Sequence, residues 1–409
     1  MYQSIKNVLG INKKILKNVF TPSSAAKINY INRKNLEDIL DDNIDIIGKQ
    51  IIVYGHSGSG KTTLVRNAIS RVNKNYIITS CTSNTTFNDI IIQSFEKLNP
   101  YYLSKTTRKE LVKITTELKN TFSGIESKLK GEIGLENTDE FQRVLPMQLT
   151  YERLAEFLDA ANCIWVIDDF HKVSDEEKKK LADVMKAFSD ISNDYPEVKI
   201  IALGAVDSPR EIVNNTRDIN RRLSEIEVPL LKPEEIKRIM INGGILLNVK
   251  FSEELITKTI YHSNSLASIC HQLSRQYCKI SNINKTCNFT KVINENILEK
   301  AIEEFNKNKS DTYQEILDKA IKKNGNSLPN VEIILSAIIK LDNKKVSHAE
   351  ILAQIKKEYP NYPQGNLTNY LKKLCSISLE EILRLDMSSG KYFFSDPFFE
   401  AYCKSNLNT

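Results

Sequence analysis

The sequence predicts an α/β protein built on a doubly wound parallel sheet, followed by an all-helical domain and a smaller domain of helices and short strands. Three observations predict this fold class. Short, continuous apolar runs recur in the first half of the chain, as in parallel strands covered on both faces. Helical patterns separate these runs. A glycine-rich loop follows the first run, and past residue 231 the runs cease.

Five apolar runs are the predicted strands of the core, which spans residues 22–230. They are 50–54, 75–80, 163–167, 199–203 and 225–228. The clearest helix between them is 174–191, where Ser174 and Glu177 have the spacing of a capping box. Strands that alternate with helices in this way form a parallel sheet with helices on both faces.

The loop after the first strand reads GHSGSGKT, the G-x-x-x-x-G-K-[ST] phosphate loop in its strand–loop–helix context. Its glycines let consecutive backbone N–H groups point at a phosphate, and the next helix presents its positive end. We expect Lys61 to reach the β- and γ-phosphates of ATP and Thr62 to complete a Mg²⁺ shell. The predicted nucleotide-binding residues here are Gly55, His56, Ser57, Gly58, Ser59, Gly60, Lys61, Thr62 and Thr63.

The third predicted strand delivers two acids, Asp168 and Asp169, beside this loop. Asp168 is the second predicted Mg²⁺ residue, holding the ion through water. Asp169 stands where hydrolytic proteins of this class place a glutamate that orients the attacking water. Aspartate is one methylene shorter, which predicts slow turnover. Asp169 acting only as a strand cap is the alternative.

Arg221 and Arg222 directly precede the fifth predicted strand. One interpretation is an arginine finger that enters a neighbouring subunit's nucleotide and stabilises charge on the transferring phosphoryl group. The other is a surface pair bound to Glu225 or Glu227. With Lys61 and Asp169, the two arginines complete the predicted catalytic set.

A polar side chain that reads the γ-phosphate is expected after the fourth strand, but Gly204, Ala205 and Val206 stand there and Asp207 comes late. His171 follows the two acids on the loop that leaves the third strand. It is interpreted either as a sensor of the phosphate state or as a hydrogen-bond partner of a carboxylate.

The remaining segments complete the predicted domain plan. Residues 1–21 are an amphipathic helical segment, and 99–149 are a basic insertion, hairpin or helical, that is either a solvated excursion or a contact for nucleic acid or a partner chain. Residues 231–308 form a helical lid. Residues 309–409 show three helices and a two-stranded wing, the order of a winged helix. Because 311–409 carry 13 Lys/Arg against 12 Asp/Glu, protein contacts are favoured over DNA readout.

Composition narrows the class further. The chain has 409 residues, 41% of them hydrophobic, and a net charge of +6, which permits contact with nucleic acid without demanding it. It has no apolar run of about eighteen residues, so no membrane partner is expected. Seven scattered cysteines without a C-x-x-C pair predict reduced thiols and a cytoplasmic location.

Together the segments VYGHSGSGKTTL, WVIDDFH, EIEVPLL and FSDPFFEAY resemble AAA+/STAND-type ATPases that carry an origin-recognition-like nucleotide module. The resemblance covers about residues 20–404 and implies an adenine contact around Ile31 and Arg33. It also implies a lid arginine at the γ-phosphate, where this chain has Ser268; Arg275 replaces it only if that helix is rotated. STAND proteins carry repeat arrays as sensors, and no repeat is visible here.

The sequence thus predicts a molecular switch that binds ATP and Mg²⁺ and hydrolyses ATP slowly. Its nucleotide state would control self-association or the engagement of a separate effector or sensor protein. By analogy, such switches serve antiphage defence or stress signalling. The alternatives are a DNA-associated ATPase, such as a loader or transposition regulator, and a nucleotide-binding scaffold without turnover.

Overall fold

The computed structural model describes residues 13–105, 149–206, 221–307, 310–322, 329–376, 379, 381–386 and 389–407. These residues form two compact units. We call residues 32–229 the sheet unit, and residues 13–31 together with 230–407 the helical unit. Most of the predicted insertion 99–149 and most of the predicted segment 1–21 lie outside the described residues.

The sheet unit holds a five-stranded parallel sheet, which confirms the predicted doubly wound core. Its strands are β1 (Gln50–Tyr54), β2 (Asn75–Ser80), β3 (Cys163–Asp168), β4 (Lys199–Gly204) and β5 (Leu223–Glu227). They lie in the order β2-β3-β4-β1-β5, with every neighbouring pair parallel. Because all five run the same way, the carboxyl ends of β1, β4 and β3 meet at one edge.

The continuous apolar runs are explained by burial on both faces of this sheet. Successive side chains of a strand point to opposite faces. Ile51 and Val53 therefore join one apolar cluster, whereas Ile52 between them joins the other together with Trp165. Trp165 is fully buried, and its Nε1–H donates to the Thr79 hydroxyl on the neighbouring strand β2 at 3.0 Å.

Helices take up most of the rest of the described chain. They are α1 (Leu16–Val19), α2 (Lys34–Asp45), α3 (Lys61–Arg71), α4 (Phe87–Lys105), α5 (Tyr151–Ala160), α6 (Asp175–Asp190), α7 (Pro233–Leu247), α8 (Glu253–Ser263), α9 (Ala267–Ile280), α10 (Leu298–Lys307), α11 (Ser310–Lys322), α12 (Asn330–Leu341), α13 (His348–Glu358), α14 (Gln364–Leu374) and α15 (Pro397–Asn406). Within the described residues, none of them combines the length and the apolar character that crossing a bilayer requires.

The predicted capping box of α6 forms only in part. The Ser174 hydroxyl accepts from the Glu177 N–H at 3.5 Å, as expected. The Glu177 carboxylate does not return to Ser174, because it accepts instead from the Phe87 N–H of α4 at 2.5 Å and from Lys180. A tertiary contact has displaced a local one. Helix α4 itself runs through residue 105, past the point where the insertion was predicted to begin.

The helical unit contains two apolar clusters, one around α7, α8 and α9 and one around α12, α13 and α14. The first includes a short parallel pair, β6 (Val249–Phe251) with β7 (Lys291–Ile293). The second is joined by an antiparallel sheet of β8 (Val346–Ser347), β9 (Leu383–Asp386) and β10 (Lys391–Phe394) in the order β8-β10-β9. The order of three helices and two late strands follows the predicted winged helix, whose assignment stays a prediction.

A buried ammonium joins these two parts of the helical unit. Lys404 of α15 has a side chain that is 6% exposed, and its Nζ donates to the Asn264 Oδ1 at the end of α8 at 2.9 Å. It also pairs with Glu400 at 3.2 Å and with Asp342 at 3.5 Å, and lies over the Tyr261 ring. A buried charge is tolerated only when it is paired and hydrogen-bonded in this way.

We therefore expect Lys404→Met to lower the free energy of unfolding by about 2–4 kcal/mol, because it leaves the partly buried Glu400 without its cation. The matched control is Lys258→Met, whose exposed pair with Glu254 on α8 should be worth less than about 0.5 kcal/mol. Urea unfolding midpoints of the two variants provide the measurement. Equal midpoints would show that the buried cluster around Lys404 does not stabilise the helical unit.

Candidate nucleotide-binding site

The glycines of the phosphate loop adopt backbone conformations that other residues rarely reach. Gly55, Gly58 and Gly60 have φ values of 137°, 77° and 93°. A Cβ on Gly55 would lie 2.3 Å from the Val228 carbonyl oxygen, so a side chain there would displace backbone. The loop therefore curls tightly between β1 and α3, with its glycines required by geometry.

Lys61 is the first residue of α3 and its ammonium is held inside the loop. Nζ donates to the carbonyl oxygens of Gly55 and His56, both at 2.8 Å. Burial lowers the pKa of Lys61 to about 8, although the nearby charges of Asp168 and Asp169 oppose the shift. A desolvated cation at the positive end of a helix is well suited to a polyanion.

Thr62 and Asp168, separated by 106 residues in sequence, are hydrogen-bonded. The Thr62 hydroxyl donates to Asp168 Oδ2 at 3.2 Å, and the Asp169 N–H donates to Asp168 Oδ1 at 3.0 Å. Burial, with the adjacent Asp169 charge, raises the pKa of Asp168. A cation beside this carboxylate would reverse that effect.

These two side chains fit a magnesium ion. A hydroxyl and a carboxylate are hard oxygen donors, and Mg²⁺ takes one or two such groups together with water and phosphate oxygens. The Ser59 hydroxyl in the same loop is buried and has no hydrogen-bond partner among the described residues. It is therefore a further oxygen that a bound ligand or ion could contact. Ser57 is exposed, and Thr63 follows in the first turn of α3.

Asp169 adopts the left-handed conformation, with φ of 59°, at the start of the short 3₁₀ turn Phe170–Lys172. Its carboxylate pairs with the Lys172 ammonium at 2.5 Å, and its carbonyl accepts from the Lys172 N–H. Sequence reasoning missed Lys172, whose spacing of three residues from Asp169 across a turn was the available signal. The pair is about half exposed, so its net stabilisation is small.

The structure separates the two predicted finger arginines. Arg222 pairs with Asp190 at the end of α6, not with Glu225 or Glu227, so that part of the surface-pair interpretation was wrong for Arg222. The Arg221 side chain is exposed and makes no ion pair among the described residues. Its backbone carbonyl accepts from Lys49.

The residues implied to contact adenine occupy different surroundings. Ile31 is 5% exposed and belongs to the first apolar cluster of the helical unit. Arg33 caps the start of α2 and donates to the Pro229 carbonyl at 2.9 Å. In the lid, the hydroxyl of Ser268 is buried without a partner among the described residues. The adenine and lid assignments stay predictions.

Among the described residues, His171 does not bind a carboxylate. Its Nδ1 accepts from the Ala205 N–H, directly after β4, at 3.2 Å. Burial lowers the pKa of the ring, with Asp169 opposing that shift and Lys172 and Lys61 adding to it. The carboxylate interpretation was therefore wrong, because a backbone N–H at the neighbouring strand end satisfies this nitrogen.

A family model described as AAA domain matches residues 48–205. The matched stretch contains the phosphate loop, Asp168 and the whole of β4. The sheet order and this match agree on the fold class: residues 48–205 match an AAA domain, and the sheet unit has the parallel sheet of a P-loop core. Within that class, the matched AAA domain implies nucleotide binding. No curated protein matches the chain significantly.

Several solved structures are similar to the chain, and the first of them supports the same fold. The Walker-type ATPase PABY2304 of Pyrococcus abyssi is similar with a TM-score of 0.50 and 12% identity, over 92% of this chain and 96% of that chain. The Aeropyrum pernix ORC2 protein, solved as ADPNP–ADP complexes, has a TM-score of 0.48 at 12% identity over 96% and 97%. Cdc6p from Pyrobaculum aerophilum has 0.45 at 14% identity, also over 96% and 97%.

Gly60→Ala tests the loop geometry. A Cβ at Gly60 meets nothing within 4 Å, so the cost comes from the left-handed backbone alone, about 1–2 kcal/mol. We expect nucleotide affinity to fall at least tenfold as the loop relaxes. The control is Gly365→Ala in α14, which also meets nothing within 4 Å but has no positive φ, and should bind as the wild type does. Calorimetric titration with ATP and Mg²⁺ measures both; equal affinities would contradict the proposed cradle.

Arg221→Ala and Arg222→Ala separate the finger from the structural arginine. If Arg221 acts in a neighbouring subunit, its loss should lower kcat by about tenfold or more and leave ATP affinity unchanged. Arg222→Ala should lower the melting temperature because it frees Asp190. A mixture of Arg221→Ala with Lys61→Ala protein should regain turnover if the finger acts in trans. Loss of kcat only in Arg222→Ala would reverse the assignment.

Proposed function

We propose that the protein is an ATP-binding, slowly hydrolysing molecular switch whose nucleotide state controls assembly or partner engagement. One observation carries the proposal: the Thr62–Asp168 hydrogen bond joins the start of α3 to the end of β3, beside the buried Lys61 ammonium. A cation, a hydroxyl and a carboxylate grouped in this way are the groups that a triphosphate and its metal require, and this supports the proposal.

In this proposal, each group of residues at the site has a separate role. Loop N–H groups and Lys61 bind the β- and γ-phosphates, and Thr62 and Asp168 hold Mg²⁺. When bound, Mg²⁺ neutralises charge on the phosphate oxygens. Asp169 orients the attacking water and takes its proton.

Slow turnover follows from the state of Asp169. Its side chain is short for the task, and the Lys172 ammonium already engages it at 2.5 Å. The carboxylate must leave or share this pair before it can accept a proton from water. A general base that is paired with an ammonium for part of the time accepts protons from water less often. This suits a slowly hydrolysing switch better than a rapidly cycling ATPase.

The switch would act through self-association or through a separate effector or sensor protein. Its helical unit supports this, since the predicted winged helix and lid are joined through the buried Lys404 and can respond together. A cytoplasmic location belongs to the proposal and is supported by seven free cysteines. The STAND-type and origin-recognition-like interpretations, and service in antiphage defence or stress signalling, rest on resemblance.

A DNA-associated ATPase, such as a loader or transposition regulator, is the second candidate. It rests on α14, whose exposed lysines Lys372 and Lys373 occupy the third helix of the predicted winged helix. Lys373 lies over the Tyr370 ring of its own helix, which reduces its reach toward a phosphate backbone. Duplex binding that weakens steeply with salt and is lost in Lys372→Ala/Lys373→Ala would favour this candidate.

The ATPase proposal is tested by turnover and binding measured together. We expect Lys61→Ala to lose ATP affinity by at least a hundredfold, because it removes the cation inside the loop. Asp169→Asn should bind ATP as the wild type does but lower kcat at least a hundredfold. Lys258→Ala, which removes the exposed lysine paired with Glu254 on α8, is the control and should leave both quantities unchanged.

Two outcomes overturn parts of this proposal. Phosphate release at the buffer level by the wild type and by both site variants, with ATP still bound, would leave a nucleotide-binding scaffold. Wild-type affinity in Lys61→Ala would move the nucleotide site away from this loop altogether.

A further inference from the structure

The end of β4 lacks the polar side chain that would read a γ-phosphate. Gly204 and Ala205 offer only backbone there. The sheet register makes this position important, because Tyr54 of β1 lies opposite Gly204 of β4. Ala205 is therefore level with Gly55, the first residue of the phosphate loop. A group held at Ala205 stands at the same sheet edge as the loop and Asp168.

His171 is held at this position from the neighbouring strand. The turn Phe170–Lys172 leaves β3, and the fully buried Phe170 anchors it in the core. From there the imidazole reaches β4, where its Nδ1 accepts the Ala205 N–H at 3.2 Å. The ring thus bridges the end of β3 to the end of β4.

This hydrogen bond also determines the tautomer of the neutral ring. A nitrogen that accepts from a backbone N–H carries no proton, so the proton of a neutral imidazole is on Nε2. Among the described residues, Nε2 has no hydrogen-bond partner. The half-buried ring lies within reach of the charges of Lys61 and Asp169. It therefore carries one N–H donor that is unused among the described residues, at the sheet edge where the phosphate loop also lies.

We propose that His171 supplies the phosphate-sensing contact of this site: anchored to Ala205 through Nδ1, it donates its Nε2–H to an oxygen of the γ-phosphate. The inference rests on the proposed ATP binding and deepens it. A neutral donor suits the position, since it favours a terminal phosphate without adding a charge that would also hold ADP. Because His171 and Asp169 flank the same turn, gain or loss of this phosphate contact would also change the position of Asp169, two residues earlier.

Two substitutions separate the two ring nitrogens. His171→Asn keeps an acceptor near Nδ1 for the Ala205 N–H but removes the Nε2 donor. His171→Gln places an amide N–H near Nε2 but gives up the acceptor. His348→Asn is the matched control, because that partly exposed histidine lies in the helical unit and, among the described residues, bonds only to Thr368. Melting temperatures within about 2 °C of the wild type establish that each variant folds.

The readout is the ratio of affinities for a non-hydrolysable ATP analogue and for ADP, each with Mg²⁺, measured by calorimetry. Loss of a hydrogen bond to a charged oxygen should lower the affinity of His171→Asn for the analogue by about tenfold and leave ADP affinity unchanged. His171→Gln should recover part of the ratio. The control should keep all of it, and kcat should follow the same order.

A wild-type ratio in His171→Asn, or equal loss of both nucleotides, would overturn the inference, since the ring would then only brace the turn. Failure of the proposed function has a different signature. Binding of both nucleotides by the wild type without turnover would contradict the ATPase assignment. In that case the affinity ratio would still test the role of His171. A wild type that binds neither nucleotide overturns both.

Discussion

The parallel direction of β1, β4 and β3 is the constraint on which the candidate site depends. It brings the phosphate loop, the Ala205 N–H and the two acids to one edge of the sheet, although they come from distant parts of the sequence. The 106-residue separation of Thr62 and Asp168 is bridged by this topology alone. These three strands are held in place by burial on both faces, so the site's geometry rests on the apolar clusters around Ile52 and Ile51.

Burial also prepares the charges of the site for their ligands. Desolvation lowers the pKa of Lys61 to about 8 and raises the pKa of Asp168, so each charged form is disfavoured where it stands. A triphosphate with its cation supplies the missing opposite charges. Under the proposed function, nucleotide binding would relieve both of these desolvation penalties at once. The Asp169–Lys172 pair, in contrast, is about half exposed and stays in contact with water, which is consistent with slow hydrolysis.

Local pattern was enough to predict most elements of this fold. The apolar runs located all five strands, with β5 beginning two residues earlier than expected, and the start of α6 was predicted from its cap at Ser174. Contacts between distant segments were not predictable. The bond from His171 to Ala205, the Lys404 cluster and the pairing of β6 with β7 each depend on which elements become neighbours. At the site, the motifs were enough to predict Lys61, Thr62 and Asp168. The pairing of Asp169 with Lys172 could not be predicted without the geometry of the turn Phe170–Lys172.

The central claim is that the nucleotide changes how the protein assembles, and multi-angle light scattering tests it most directly. The molar mass is measured without nucleotide, with ADP and Mg²⁺, and with ATP and Mg²⁺, using Asp169→Asn to preserve the bound ATP and Lys61→Ala as the control. The account predicts a higher mass, or capture of an added partner, only with ATP and Mg²⁺ and never in Lys61→Ala. One unchanged mass in all three states, with a shift only when duplex DNA is added, would contradict it and favour the DNA-associated ATPase.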